Sequence, residues 1–150
     1  MKLSDNFTLA EMVRSQTARR LNIDNTPDEH QIEFMRELCV NVLQPIRDEF
    51  GPVRITSGLR VPELNRAIGG SSSSQPCALN GAAADIDFGD NNAPVFKWIC
   101  ENIIFDQLIW EFGDESNPDW IHVSYNYGKN RGQILRAVKR NGKTKYIPMG

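Results

Sequence analysis

The stretches Trp-Ile-His-Val-Ser-Tyr at 120–125 and Ala-Asp-Ile-Asp-Phe at 84–88 decide the fold of this chain. In both of them apolar residues alternate with other residues, and successive side chains of a β-strand point to opposite faces of its sheet. One face of the predicted sheet therefore packs on an apolar core. The other face presents Asp85 and His122 to a cleft.

A carboxylate and an imidazole that share a cleft are typical ligands of Zn²⁺, which accepts oxygen and nitrogen donors in tetrahedral geometry. Asp119 precedes His122 by three residues, at the entry of the strand. There it is placed to accept a proton from an attacking water without being a ligand. A structural interpretation stays open, because a strand aspartate is often an edge residue and short motifs carry many false positives.

The order of the predicted elements indicates an α+β fold with a single domain, residues 1–150. Capping signals and helical spacing predict a long helix that starts at Thr26 and is ended by Gly51-Pro52, a shorter one at 62–68 and another at 94–102. A helix is also predicted to start near Phe7. Strands are predicted at 53–56, 105–112, 120–125, 133–138 and 143–147, and the dipeptide Asn141-Gly142 predicts a hairpin turn between the last two.

Length and composition exclude several function classes. The chain has 150 residues, 40% hydrophobic and 24% charged, with a formal net charge of −2. It lacks the excess of basic residues that is typical of nucleic-acid-binding proteins. No apolar run approaches the roughly 18 residues needed for membrane insertion. Three cysteines do not suggest a disulfide framework. The first residues lack the apolar stretch of a secretory signal, so synthesis in the cytoplasm is expected.

Eight short motifs, in order along almost the whole chain, carry a family resemblance. The sequence resembles the zinc D-Ala-D-Ala carboxypeptidases and L-alanyl-D-glutamate endopeptidases that cut peptidoglycan stem peptides. It is most similar to their short, single-domain branch common in bacteriophages and prophages. The motifs lie at 6–9 with 15–18, 43–47, 55–60, 64–65, 69–71, 81–87, 105–109 with Glu111, and 120–125 followed by Asn130 and Arg131.

The resemblance implies a Hedgehog/D-Ala-D-Ala peptidase-like fold and a role for each matched residue. It implies that Asp85 and His122 are zinc ligands and that Asp119 is the general base. It further implies that Arg60 polarises the substrate carbonyl, a role whose alternative is a structural ion pair. The remaining matched residues are expected to contact the substrate: Ser57, Gln107 and Trp120.

The first metal ligand of the family is where this sequence departs from the pattern. The position seven residues before Asp85 is Ala78, and counting forward through the motif gives Pro76 where histidine is expected. Neither residue can coordinate a metal. Cys77 lies between them, and its thiolate is a good zinc ligand at about 2.3 Å. The alternative, that Cys77 is an ordinary buried thiol, stays open. His30, at the start of the long helix, has no counterpart in the family's metal site.

Two functions are consistent with this departure. The first is a zinc peptidase that acts on peptidoglycan stem peptides, as part of a virion or during lysis of the host cell wall. The second is a catalytically impaired relative, used as a virion structural protein or as a module that binds cell wall. In a virion, other virion proteins are expected partners.

Overall fold

A six-stranded sheet forms the centre of the structure, a computed structural model in which residues 2–13, 29–57, 81–126 and 130–149 are described. The sheet has the strand order β3-β4-β6-β5-β7-β8, and only the pair β5–β7 is parallel. A separate hairpin joins β1 and β2. In chain order the strands are β1 Lys2–Ser4, β2 Phe7–Thr8, β3 Arg54–Ser57, β4 Gly81–Asp87, β5 Gln107–Glu111, β6 Trp120–Asn126, β7 Gln133–Arg140 and β8 Lys143–Pro148.

The described helices are α1 Leu9–Val13, α2 Glu29–Leu38, α3 Gln44–Phe50 and α4 Asn92–Asn102. A π-helical turn, Cys39–Leu43, joins α2 and α3 into one continuous helix. Pro45 follows this turn and has no N–H to donate to the carbonyl four residues earlier. The wider π turn lets the helix continue through the proline. None of the helices described is both long and apolar enough to cross a bilayer.

The core lies between the helices and one face of the sheet, where α2 packs against β4 and β6. The alternating apolar residues of these strands are buried there, as the sequence predicts. Burial of each large aliphatic side chain contributes roughly 1.5–3 kcal/mol. The fully buried side chains of the sheet include Ala84, Ile86, Leu108, Ile121 and Val123, and those of the long helix include Met35, Leu38, Leu43 and Ile46.

The α+β class and the mainly antiparallel sheet are confirmed. The predicted hairpin is present, with Asn141 and Gly142 both at positive φ, 53° and 75°. The helix predicted to begin near Phe7 begins at Leu9, because Phe7 and Thr8 pair with β1. The predicted start at Thr26 and the predicted helix at 62–68 lie outside the described residues.

Candidate functional site

Asp85 and His122 meet on the face of the sheet opposite the core. They are direct cross-strand partners in the antiparallel pair β4–β6. The Nδ1 atom of His122 lies 3.0 Å from Oδ1 of Asp85, within hydrogen-bonding distance. The side chain of His122 is 9% exposed and that of Asp85 is 16% exposed, so both are largely buried but remain accessible to solvent. The prediction that these two side chains converge from adjacent strands is confirmed.

This pair of donor atoms fits a zinc ion. Two ligands about 2.0 Å from one tetrahedral zinc have donor atoms about 3.3 Å apart, close to the observed separation. When Nδ1 of His122 carries a proton, this N–H donates a hydrogen bond to Oδ1 of Asp85. A metal would take the place of this proton, since only the unprotonated ring nitrogen coordinates. Within the described parts of the chain, no three His, Cys, Asp or Glu residues group closely enough to hold a metal.

Asp119 lies at the entry of β6, with its side chain exposed to solvent. Main-chain atoms fix its position. Its N–H donates to the carbonyl of Glu111 at 2.9 Å, and its carbonyl accepts from the Nδ2 of Asn92 at 3.3 Å. These contacts involve only the backbone of Asp119, and its carboxylate is exposed to solvent.

Asn92, which the sequence analysis overlooked, connects three parts of the site. It is buried at the start of α4, and its Nδ2 also donates to Oδ1 of Asp87 at 2.9 Å and to the carbonyl of Pro118 at 3.2 Å. One amide group thus ties the end of β4 to the loop that carries Asp119. Its position at the start of α4 does not by itself predict these long-range hydrogen bonds.

Glu111 is a second acidic residue that the sequence analysis did not assign to the site. It belongs to β5, two residues beyond Ile109, the cross-strand partner of His122, and therefore lies on the same face of the sheet. It is only 7% exposed. Burial raises the pKa of Glu111 from 4.5 to about 7, with His122 lowering and Asp85 raising it. The sequence alternation of Gln107, Ile109 and Glu111 would have predicted that Glu111 lies on the same face of the sheet as its two neighbours in that series.

Glu111 is expected to make the metal-free protein less stable as the pH rises. Its folded pKa lies above its unfolded value, so the folded state binds a proton more tightly. This contribution is complete below about pH 4.5 and is lost as the pH rises through about 7. The loss amounts to about 3 kcal/mol. Urea unfolding in chelator should show Glu111→Gln more stable than wild type at pH 8 and nearly equal at pH 4.5.

The exposed Glu49, on α3, provides the matched control. Glu49→Gln should follow the wild-type stability at both pH values, because Glu49 lies on the exposed surface of the helix. Equal pH dependence of wild type and Glu111→Gln would mean that Glu111 is not held in an environment that disfavours its charge.

The three residues predicted to contact the substrate differ in their position relative to the site. Trp120 lies on the site face next to Asp119, where both line a groove. Gln107 is on the same face, but its Nε2 donates to Oε1 of Gln133 at 2.8 Å. The backbone of Ser57 pairs with Asp85 across β3–β4. Two further predicted site residues, Arg60 and Cys77, lie outside the described residues.

Two of the quoted motifs have structural tasks. Asp106 is buried and forms a bidentate ion pair with Arg131, with Nη2–Oδ2 at 2.8 Å and Nε–Oδ1 at 3.0 Å. Burial would raise the pKa of Asp106, but the hydrogen bonds and charge of Arg131 outweigh it and lower that pKa. Gln44 similarly ties α3 to the amino-terminal hairpin, accepting from Ser4 at 2.8 Å and from the backbone N–H of Asn6 at 2.9 Å.

The donor pair of Asp85 and His122, with the exposed Asp119 directly before the strand that carries His122, fits a metal-dependent hydrolase. The comparison with protein families agrees with this class. The model of the family Peptidase M15 matches residues 5–124. This match covers well over half of the chain, and the protein belongs to the M15 peptidases, the zinc D-Ala-D-Ala carboxypeptidase family. A comparison with curated proteins found no match.

Proposed function

We propose that this protein is a zinc-dependent peptidase that cleaves peptidoglycan stem peptides. The observation that carries the proposal is the Asp85–His122 pair, set on adjacent strands of an M15 chain at a separation that suits one zinc ion. M15 peptidases are typically zinc-dependent, and the family acts on peptidoglycan peptides. A fold of the Hedgehog/D-Ala-D-Ala peptidase kind is part of the proposal and is supported by the same family membership.

Each residue has a defined task in this proposal. Asp85 and His122 hold the metal, and Cys77 supplies the third protein ligand in place of the family's histidine. A bound zinc ion would polarise a water molecule and lower its pKa towards neutrality. The Asp119 carboxylate accepts a proton from the attacking water and delivers it to the leaving amine. Arg60 stabilises the negative charge that develops on the substrate carbonyl oxygen, a role typically worth about 3 kcal/mol.

The setting of this activity follows from the resemblance to the short phage and prophage branch. We propose that the protein acts on the host cell wall, carried there by a virion or released during lysis, with other virion proteins as partners. The similarity of motif order supports this setting.

The proposal is tested by measuring bound zinc per chain in the purified protein, together with hydrolysis of a synthetic stem peptide. About one zinc per chain and zinc-dependent turnover are expected. A protein that binds cell wall but holds no zinc and releases no product would instead match the impaired relative. Mass analysis of the products would distinguish a carboxypeptidase, which releases one terminal residue, from an endopeptidase.

Cys77→Ser tests the third ligand. A serine hydroxyl is a much weaker zinc ligand than a thiolate, so zinc affinity should fall about tenfold or more. Cys100, on α4, offers a matched control, and Cys100→Ser should retain zinc. Full zinc occupancy and wild-type turnover in Cys77→Ser would show that another donor completes the site.

A further inference from the structure

A groove of about 750 Å³ opens beside Asp119, separate from the side chains of Asp85 and His122. Its lining consists of Phe112, Gly113, Asp119, Trp120, Val138 and Lys139. The rings of Phe112 and Trp120 meet edge to face, with centroids 5.4 Å apart, and form an apolar wall. This volume is in the range of sites that bind small molecules or short peptides.

The groove extends away from the proposed metal site along the sheet. Trp120 lies two residues before His122 on β6, so one end of the groove adjoins the metal ligands. Leu135 pairs with Ile109, which in turn pairs with His122, and Lys139 lies four residues further along β7. Four strand residues span about 13 Å. An extended peptide would therefore need about four residues to reach from the level of His122 to that of Lys139.

The two charged residues of the groove differ in sign and position. Asp119 directly precedes β6, and Lys139 is the penultimate residue of β7. The Nζ atom of Lys139 lies 5.9 Å from the centroid of the Phe112 ring, a cation–π contact that holds the ammonium group above the apolar wall. In the part of the chain that the structure describes, no carboxylate forms an ion pair with Lys139. Its charge is thus available to a ligand.

The backbone around this wall is strained. Phe112 has φ 55° and Gly113 has φ 67°. The left-handed region is uncommon for a bulky residue such as Phe112, and such outliers often occur at binding sites. A hydrogen bond of 3.0 Å from its N–H to the carbonyl of Ala137 holds Phe112 in place. A Cβ at Gly113 would lie 2.2 Å from the carbonyl oxygen of Asn117, so glycine is required there.

We propose that this groove is the subsite for the acidic part of the peptide substrate, with Lys139 binding its carboxylate and the Phe112–Trp120 wall packing against its aliphatic atoms. The inference rests on the proposed peptidase function and deepens it, because it defines which stem peptides are preferred. Peptides with a free D-glutamate carboxylate bind better than peptides in which that group is amidated.

The test compares two synthetic stem peptides that differ only in this carboxylate or carboxamide. Wild-type protein should show a KM about tenfold lower for the carboxylate peptide. Lys139→Met should raise that KM about tenfold, leave kcat within twofold, and leave the KM of the amidated peptide unchanged. Lys139→Arg should retain the preference. Lys97→Met removes an equally exposed lysine from α4 and should behave as wild type.

Equal KM values of wild type for the two peptides, or an unchanged preference in Lys139→Met, would overturn the subsite. If wild type cleaves neither peptide, the proposed function fails. Calorimetric titration then measures the Kd of each peptide and tests the subsite independently of cleavage. A tenfold difference in Kd that disappears in Lys139→Met supports it. Identical Kd values for the two peptides contradict it.

Discussion

Replacing His122 with alanine is expected to lower the zinc affinity of this protein roughly 100- to 1,000-fold and to abolish peptide hydrolysis. Protein zinc sites bind with about 10–16 kcal/mol in total, so each ligand accounts for about 3–4 kcal/mol. The alanine side chain also leaves Asp85 without its 3.0 Å partner. Competition with a calibrated zinc chelator measures the affinity, and product release from a stem peptide measures the activity.

His30 is the matched control for this change. It is the only other histidine of the chain and lies exposed at the start of α2. His30→Ala should keep zinc affinity and turnover at wild-type values. If His122→Ala retained full zinc affinity while staying folded by circular dichroism, Asp85 and His122 would be a structural ion pair and the metal would bind elsewhere.

Asp119→Asn is expected to lower kcat by about 10² to 10⁴ while zinc content and stability stay unchanged. Asparagine has nearly the same shape but cannot accept the proton of the attacking water. The fold should tolerate it, because Asp119 is held through its backbone N–H to Glu111 and its carbonyl to Asn92. Steady-state kinetics with a stem peptide, alongside zinc analysis and urea unfolding, separates the catalytic effect from a structural one.

Asp90→Asn provides the comparison, since Asp90 is an exposed aspartate in the 3₁₀ turn before α4. It should leave kcat unaltered. Wild-type turnover in Asp119→Asn would remove Asp119 from the mechanism.

Much of the fold followed from local patterns. Alternation in the stretches at 84–88 and 120–125 correctly separated the core face from the site face, because a strand's side chains alternate whatever its neighbours are. The Asn141-Gly142 turn was equally predictable, since both residues tolerate positive φ. The ends of the strands were less predictable. β5 ends at Glu111 because the next residue, Phe112, has a positive φ, and nothing about phenylalanine as a residue type predicts that conformation.

For the candidate site, the sequence by itself determined that Asp85 and His122 share a face, because that depends only on the period of each strand. Their 3.0 Å approach required the pairing of β4 with β6 in one particular register, which tertiary structure decided. The burial that raises the pKa of Glu111, the anchoring of Asp119 by Asn92 and the position of Lys139 opposite Phe112 likewise come from long-range packing. Local residue preferences cannot encode them, since burial and charge at each position depend on which distant strands become neighbours.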